Sequence, residues 1–151
     1  MQINMAQKLV KKQIIGWREW VAFPSLGIAK IKAKIDTGAR SSALHAYNIE
    51  CYTTKHGKLR VKFNVHPLQK NSKCVISCHA DVIDQRYVKS SSGQQELRTT
   101  ILTTLTMGVD SWPIELTLTN RDNMGFRLLI GRTALRRKFL VDPQRSFFCG
   151  T

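Results

Sequence analysis

Three residues that can do chemistry stand at the end of an apolar run: Asp36, Thr37 and Gly38. A carboxylate there can activate water, the threonine hydroxyl can bind neighbouring backbone, and the glycine lets another chain approach closely. Asp, Thr and Gly are also ordinary turn residues, and an Asp-(Ser/Thr)-Gly triplet arises by chance in roughly one chain of this length in ten. Further along, Leu128-Leu129-Ile130 runs into Gly131 and Arg132, a second apolar strand broken at a charged residue. Other chemistry fits less well. Cys74 and Cys78 are spaced C-x3-C with His79 adjacent, but Cys51, Cys149, His45, His56 and His66 supply no second close pair of the kind a zinc site uses. In a strand, Cys78 and His79 would point to opposite faces, so no metal site and no cofactor are expected. His45 could serve a nucleophile at Ser41 or Ser42, yet no G-x-S-x-G surrounds either serine, and a polar strand histidine is the better reading.

The elements that must position these residues are mostly strands. Ile14–Phe23 ends at Pro24, with Gly27 marking a turn. Ile28–Ile35 alternates cleanly, with Lys30, Lys32 and Lys34 on one face. Leu44–Thr54 and Lys58–Val65 flank a turn at His56-Gly57, and Lys73–Asp84 and Arg86–Lys89 follow. Ser90-Ser91-Ser92-Gly93-Gln94-Gln95 has the composition of a mobile hairpin tip. Glu96–Met107, a turn at Gly108-Val109-Asp110, Trp112–Thr119 and Phe126–Ile130 are further strands and connections. Thr133–Phe139 is the helical candidate, and Val141–Pro143 and Arg145–Cys149 close the chain. There is no internal repeat, so the fold class is all-β, with a small helix near the end. Residues 1–12 read as an N-terminal extension and 13–151 as one domain.

A chain of 151 residues with 42% hydrophobic and 23% charged residues can bury a core, and disorder is not expected. Lys and Arg number 24 against 10 Asp and Glu, a formal charge of +14. Such a surplus argues for an acidic partner. The basic residues spread over Lys30, Lys32, Lys34, Arg60, Lys62, Arg121 and Arg127 and cluster at Arg136, Arg137 and Lys138. Nucleic acid is the main rival partner, although no zinc-finger spacing or RNP-like aromatic motif accompanies the charge. No apolar run approaches the roughly 18 residues of a membrane span, and no secretory leader is readable, so a cytoplasmic protein without membrane contact is expected.

Taken together, the D-T-G-A loop, the Ser/Gly hairpin, the apolar-Gly-Arg motif and the terminal helix resemble the retroviral-type aspartic proteases, or retropepsins. The stretch K-I-D-T-G-A-R-S-S-A-L-H-A and the ending F-L-V-D-P are similar to a narrower bacterial family labelled ATP-dependent zinc proteases. Members of that family accompany the ATP-grasp ligase that adds glutamates to ribosomal protein S6. The resemblance runs from about Trp17 to Phe148 and implies a closed β-barrel of acid-protease type. It implies an aspartic peptidase in which Asp36 from two subunits forms a homodimeric dyad. Thr37 would interlock with its symmetry mate, Gly38 and Ala39 would bind substrate backbone, the Gly93 hairpin would be the flap, and Gly131-Arg132 would brace the site. Retropepsins usually carry an acid four residues after the catalytic Asp; here Arg40 stands there. Arg40 would read an acidic side chain of a peptide or protein substrate, unless it is simply solvated or bracing, and Asp142 is the candidate counter-charge for the two arginines. No phosphate-binding Gly-rich loop supports ATP dependence. The alternative is a basic β-barrel that binds nucleic acid, the ribosome or an acidic protein without catalysis.

Overall fold

In β1 (Gln13–Phe23) the odd-numbered Ile15, Val21 and Phe23 are buried while Arg18 and Trp20 face outward. In β2 (Ile28–Asp36) the inward positions are Ile31, Ala33 and Ile35. This two-residue period makes each strand a half-buried surface. The computed structural model describes residues 12–68, 71, 73–89, 92–120, 125–135 and 138–150. Among them the remaining strands are β3 (Ser42–His45), β4 (Tyr47–Thr53), β5 (Leu59–Val65), β6 (Ile76–Lys89), β7 (Gln95–Met107), β8 (Asp110–Thr119), β9 (Leu128–Gly131) and β10 (Phe139–Ser146). One short helix, α1, spans Arg132–Leu135.

The strands lie in the order β10-β1-β2-β9-β3-β8-β7-β6-β5-β4, and β1 also meets β7 at Ala22 and Thr106. That last pairing closes six strands, β1-β2-β9-β3-β8-β7, into a barrel. Closure removes the open edges that a flat sheet would expose. Ile15, Phe23, Ile31, Leu44, Ile101, Leu105, Leu116, Leu128 and Ile130 fill the interior and are fully buried, each contributing about 1.5–3 kcal/mol of transfer free energy. The β4-β5-β6 arm extends from the barrel and buries Val61, Phe63 and Val65. On its solvent face Asp81 bonds Lys58 and Arg60, and its carboxyl is held below the usual range chiefly by the Lys58 hydrogen bond.

Several boundaries differ from those expected. The run expected from Leu44 to Thr54 is two strands, because β3 pairs with β8 and β9 in the barrel while β4 leaves to pair with β5. Ala46 at the break donates its N–H to Thr119 O at 2.9 Å. β6 runs unbroken past Asp84 and Gln85, absorbing its irregularity as a register shift between Val82 and Asp84. The helix expected to reach Phe139 is assigned only over Arg132–Leu135; Arg136 and Arg137 lie outside the described residues, as do Arg121 and residues 1–11. Phe139 instead opens β10, packed on Trp112 at 5.1 Å between ring centroids, and β10 joins the two short closing segments into one strand parallel to β1.

A carboxylate loop stitched to a strand–helix junction

Asp36 is the last residue of β2, and it lies opposite Gly131, the last residue of β9, in a parallel pair. Parallel pairing brings both chain segments out of the barrel at the same end, so the two sequence motifs meet there. The loop after Asp36 folds back on it. Gly38 N–H donates to Asp36 Oδ1 at 3.1 Å, and Ala39 N–H donates to Asp36 O at 3.1 Å. One carboxylate oxygen is thereby engaged by backbone.

The strand–helix junction then holds the loop from the other side. Arg132 N–H donates to Ala39 O at 2.8 Å, and its guanidinium Nη1 donates to Gly38 O at 3.2 Å. Thr133 contributes two bonds to Arg40 O, from its N–H at 3.2 Å and its hydroxyl at 2.7 Å. Gly131 N–H donates to the buried Ser42 hydroxyl at 3.0 Å. A side chain at position 131 would put its Cβ 2.4 Å from Ser41 O and 2.9 Å from Ala39 O, so only glycine permits this approach. Asp36, Thr37, Gly38, Ala39, Arg40, Gly131 and Arg132 therefore form one assembly. Thr37, Gly38 and Arg40 are exposed; Asp36 and Ala39 are half-buried.

Ser42 and Thr133 belong to the assembly but carry no sequence signal beyond hydroxyl side chains beside the two motifs. Gly93 stands apart on the β6–β7 hairpin, exposed, with φ 85° and open space for 4 Å around the point where a Cβ would sit. Ser90 and Ser91 of the same tip lie outside the described residues. Asp142, expected as a counter-charge for the arginines, instead accepts from Arg145 Nε at 3.0 Å and from Gln144 N–H at 2.9 Å. It sits on β10 and forms no described ion pair with Arg40 or Arg132. His45 is buried in β3, with its backbone N–H given to Arg127 O at 2.8 Å.

The zinc label of the resembling family finds no fitting donor set. Cys78 faces the core and burial pushes its thiol up to about 11, which disfavours the thiolate a metal needs. Its neighbour His79 faces solvent, with Nδ1 3.0 Å from the Tyr52 hydroxyl, and Cys74 precedes the strand. Among the described residues no three His, Cys, Asp or Glu side chains converge.

Residues 14–150 match a family described as RimB-like, retropepsin-like aspartic endopeptidase RimB. Proteins named "Probable alpha-L-glutamate ligase" from Shewanella pealeana and Desulfotalea psychrophila are each 48% identical over 139 residues, covering 92% of this chain. The matched region is 30% of those relatives' length. A crystal structure of a Legionella pneumophila protein of unknown function superposes with a TM-score of 0.76 at 28% identity, over 92% of this chain and 99% of that one. No helix among the described residues is long and apolar enough to cross a membrane.

Proposed function

The chain belongs to the RimB-like family of retropepsin-like aspartic endopeptidases, and from that premise we propose that it hydrolyses peptide or amide bonds in acidic, glutamate-rich polypeptides. The observation that carries this reading is the pinned Asp36 loop. Gly38 N–H occupies one carboxylate oxygen and leaves the other for a water molecule. Aspartic chemistry needs two carboxylates sharing a proton, one to activate water and one to hydrogen-bond the scissile carbonyl. Each chain brings one Asp-Thr-Gly, so the dyad requires a second copy across a two-fold axis, and no cofactor enters. Thr37, exposed beside Asp36, meets its mate at that axis, and Gly38 and Ala39 present backbone to the substrate. Arg132 acts through the Gly38 carbonyl as a positioning residue, while the Gly93 hairpin closes over the bound chain. Arg40, without an ion pair among the described residues, recognises a substrate carboxylate by bidentate pairing.

Acidic specificity is supported by the +14 charge and by the name of the longer relatives, in which a domain like this accompanies a glutamate ligase. A ligase of that class, or the protein it modifies, is the natural partner. Four free cysteines support a reducing compartment, the cytoplasm. The same relatives favour a second reading, a basic module that recruits an acidic partner without cutting it, because their name states no peptidase.

The test is incubation with a glutamate-extended peptide, followed by mass spectrometry, for the wild type and Asp36→Asn. Shorter products from the wild type alone are expected. An intact peptide with both proteins overturns the peptidase reading, and retained binding would then leave the recruiting module.

A further inference from the structure

Lys30, Lys32, Lys34 and Asp36 occupy alternate positions of β2 and so share its outward face. Lys30 is exposed, and Lys32 and Lys34 are half-buried. On the neighbouring strand, Arg18 lies opposite Lys34 and Trp20 opposite Lys32. The Trp20 ring carries Phe147 stacked at 5.4 Å and 20°, with the Lys30 ammonium 4.3 Å and the Lys32 ammonium 5.5 Å from its centroid. Arg18 sits 4.9 Å from the Phe147 ring. None of these four cations has an ion pair among the described residues. The acid beside them in sequence, Glu19, faces the interior with its carboxylate on backbone N–H groups. The rings thus hold Lys30, Lys32 and Arg18, and Lys34 extends the same face toward Asp36, a row of cations that no ion pair among the described residues neutralises.

We propose that this row is a docking track for an extended acidic polypeptide, which guides glutamate-rich substrate toward Asp36. The inference rests on the peptidase reading for its purpose, but not for the binding it asserts. Along a strand, alternate side chains repeat every ~6.6 Å. An extended peptide with acids at alternate positions has the same repeat, so Lys30, Lys32 and Lys34 can each meet one carboxylate. Single-stranded nucleic acid would need open ring faces for its bases. Trp20, already engaged by Phe147 and Lys30, leaves little of its π-surface for them.

The test uses the full-length Asp36→Asn protein, which binds without turnover, and a fluorescein-labelled decaglutamate read by anisotropy at low salt. K30Q/K32Q/K34Q should weaken binding on the order of tenfold. K30R/K32R/K34R should restore most of it, and a control with equal charge loss on and around the β4-β5-β6 arm, K55Q/K62Q/K73Q, should change it by less than about twofold. Thermal unfolding confirms that each variant is folded. Equal losses in the two Gln triples, no loss in either, or no binding by the parent would overturn the track. So would an oligo-dT of matched charge that bound more tightly through the same lysines. Because cleavage plays no part in this assay, failure of the Asp36 chemistry leaves its result standing. Loss of the track, in turn, leaves cleavage of neutral peptides as a separate measure of Asp36.

Discussion

Glu19→Gln should loosen the C-terminal segment from β1, because one carboxylate accepts three of the backbone N–H bonds at this junction, two of them from that segment. Glu19 is fully buried at 0% exposure. Its Oε2 accepts N–H bonds from Gly16 at 2.6 Å and Phe148 at 3.0 Å, and its Oε1 accepts one from Cys149 at 3.0 Å. A glutamine amide offers one oxygen and one NH2, so at least one of the three N–H groups would then face another donor. A hydrogen bond to a charged group contributes about 1.5–3 kcal/mol, and an unpaired buried donor costs about 1–3 kcal/mol. Against this, the neutral amide escapes part of the several kcal/mol needed to desolvate a carboxylate that has no ion pair among the described residues. The net expectation is a loss of about 2–4 kcal/mol, which for a chain of this size lowers Tm by about 5–15 °C. Circular dichroism melting at neutral pH measures the total. Hydrogen exchange at the Phe148 and Cys149 amides locates it, and tryptophan fluorescence follows the stack of Trp20 on Phe147. A Tm shift under about 2 °C with unchanged protection would refute the reasoning. It would mean that desolvation cancels the bonds and that other contacts, such as Phe147 N–H to Arg18 O at 2.9 Å, hold the segment.

The remaining expectations concern the loop, the dyad and the thiols. Gly131→Ala drives its Cβ to 2.4 Å from Ser41 O and should cost about 3 kcal/mol in urea unfolding, whereas Gly93→Ala, strained only by φ 85°, should cost about 1 kcal/mol; equal costs would show that the loop yields. Mixing wild type with Asp36→Asn in equal amounts should leave about a quarter of the activity if each site needs two Asp36 residues, and about half if each chain works alone. Burial, joined at Cys149 by the Glu19 charge, raises both the Cys78 and Cys149 thiols from 9.0 to about 11. At pH 8, Cys51 and Cys74, both exposed, should therefore take up iodoacetamide first, with the site of alkylation read by mass spectrometry. The folded state holds these two protons more tightly than the unfolded chain does, so stability should fall as pH rises from 9.0 toward about 11.

The barrel was legible because its strands alternate. Ile28–Ile35 shows one apolar and one basic face, and the structure keeps both from Lys30 to Ile35, while the register shift at the start of the strand buries Ile28 and exposes Ala29. The two halves of the candidate site were legible as motifs, Asp36-Thr37-Gly38 and Gly131-Arg132, but their meeting depends on a parallel pairing between segments distant in sequence, which no local pattern states. Local pattern also misleads at β3 and β4. A continuous β-rich run cannot reveal that its first half pairs with β8 and its second with β5. Charge alone points to Asp142 as the partner of the site arginines, and a nearer one, Arg145 three residues away, takes it. Glu19 did leave a trace, as an acid at an inward position between Ile15 and Phe23. Its role still depends on the return of the C-terminal segment, which brings Phe148 and Cys149 to it.

If two Asp36 residues form the proposed dyad, its assembly should depend on the same charge that the proposed track uses to bind substrate. Two chains of +14 each repel as they approach, and at physiological ionic strength this repulsion is screened only beyond about 8 Å. The Asp36 loops must come closer than that, since dyad carboxylates lie within hydrogen-bonding distance of each other. Lys34 stands two residues from Asp36 on the same face of β2, so its charge lies near any two-fold contact made there. An acidic peptide on Lys30, Lys32 and Lys34 neutralises that charge where it opposes association most. Sedimentation at low salt should accordingly show the Asp36→Asn chain shifting toward dimer when decaglutamate is added. Raising salt without peptide should produce a smaller shift, because mobile ions screen without bridging. K30Q/K32Q/K34Q should dimerise more readily than its parent without peptide and respond less to peptide. If neither salt nor peptide changes the sedimentation of any of these proteins, the basic face and the carboxylate loop act independently, and the charge of this chain serves a partner other than its substrate.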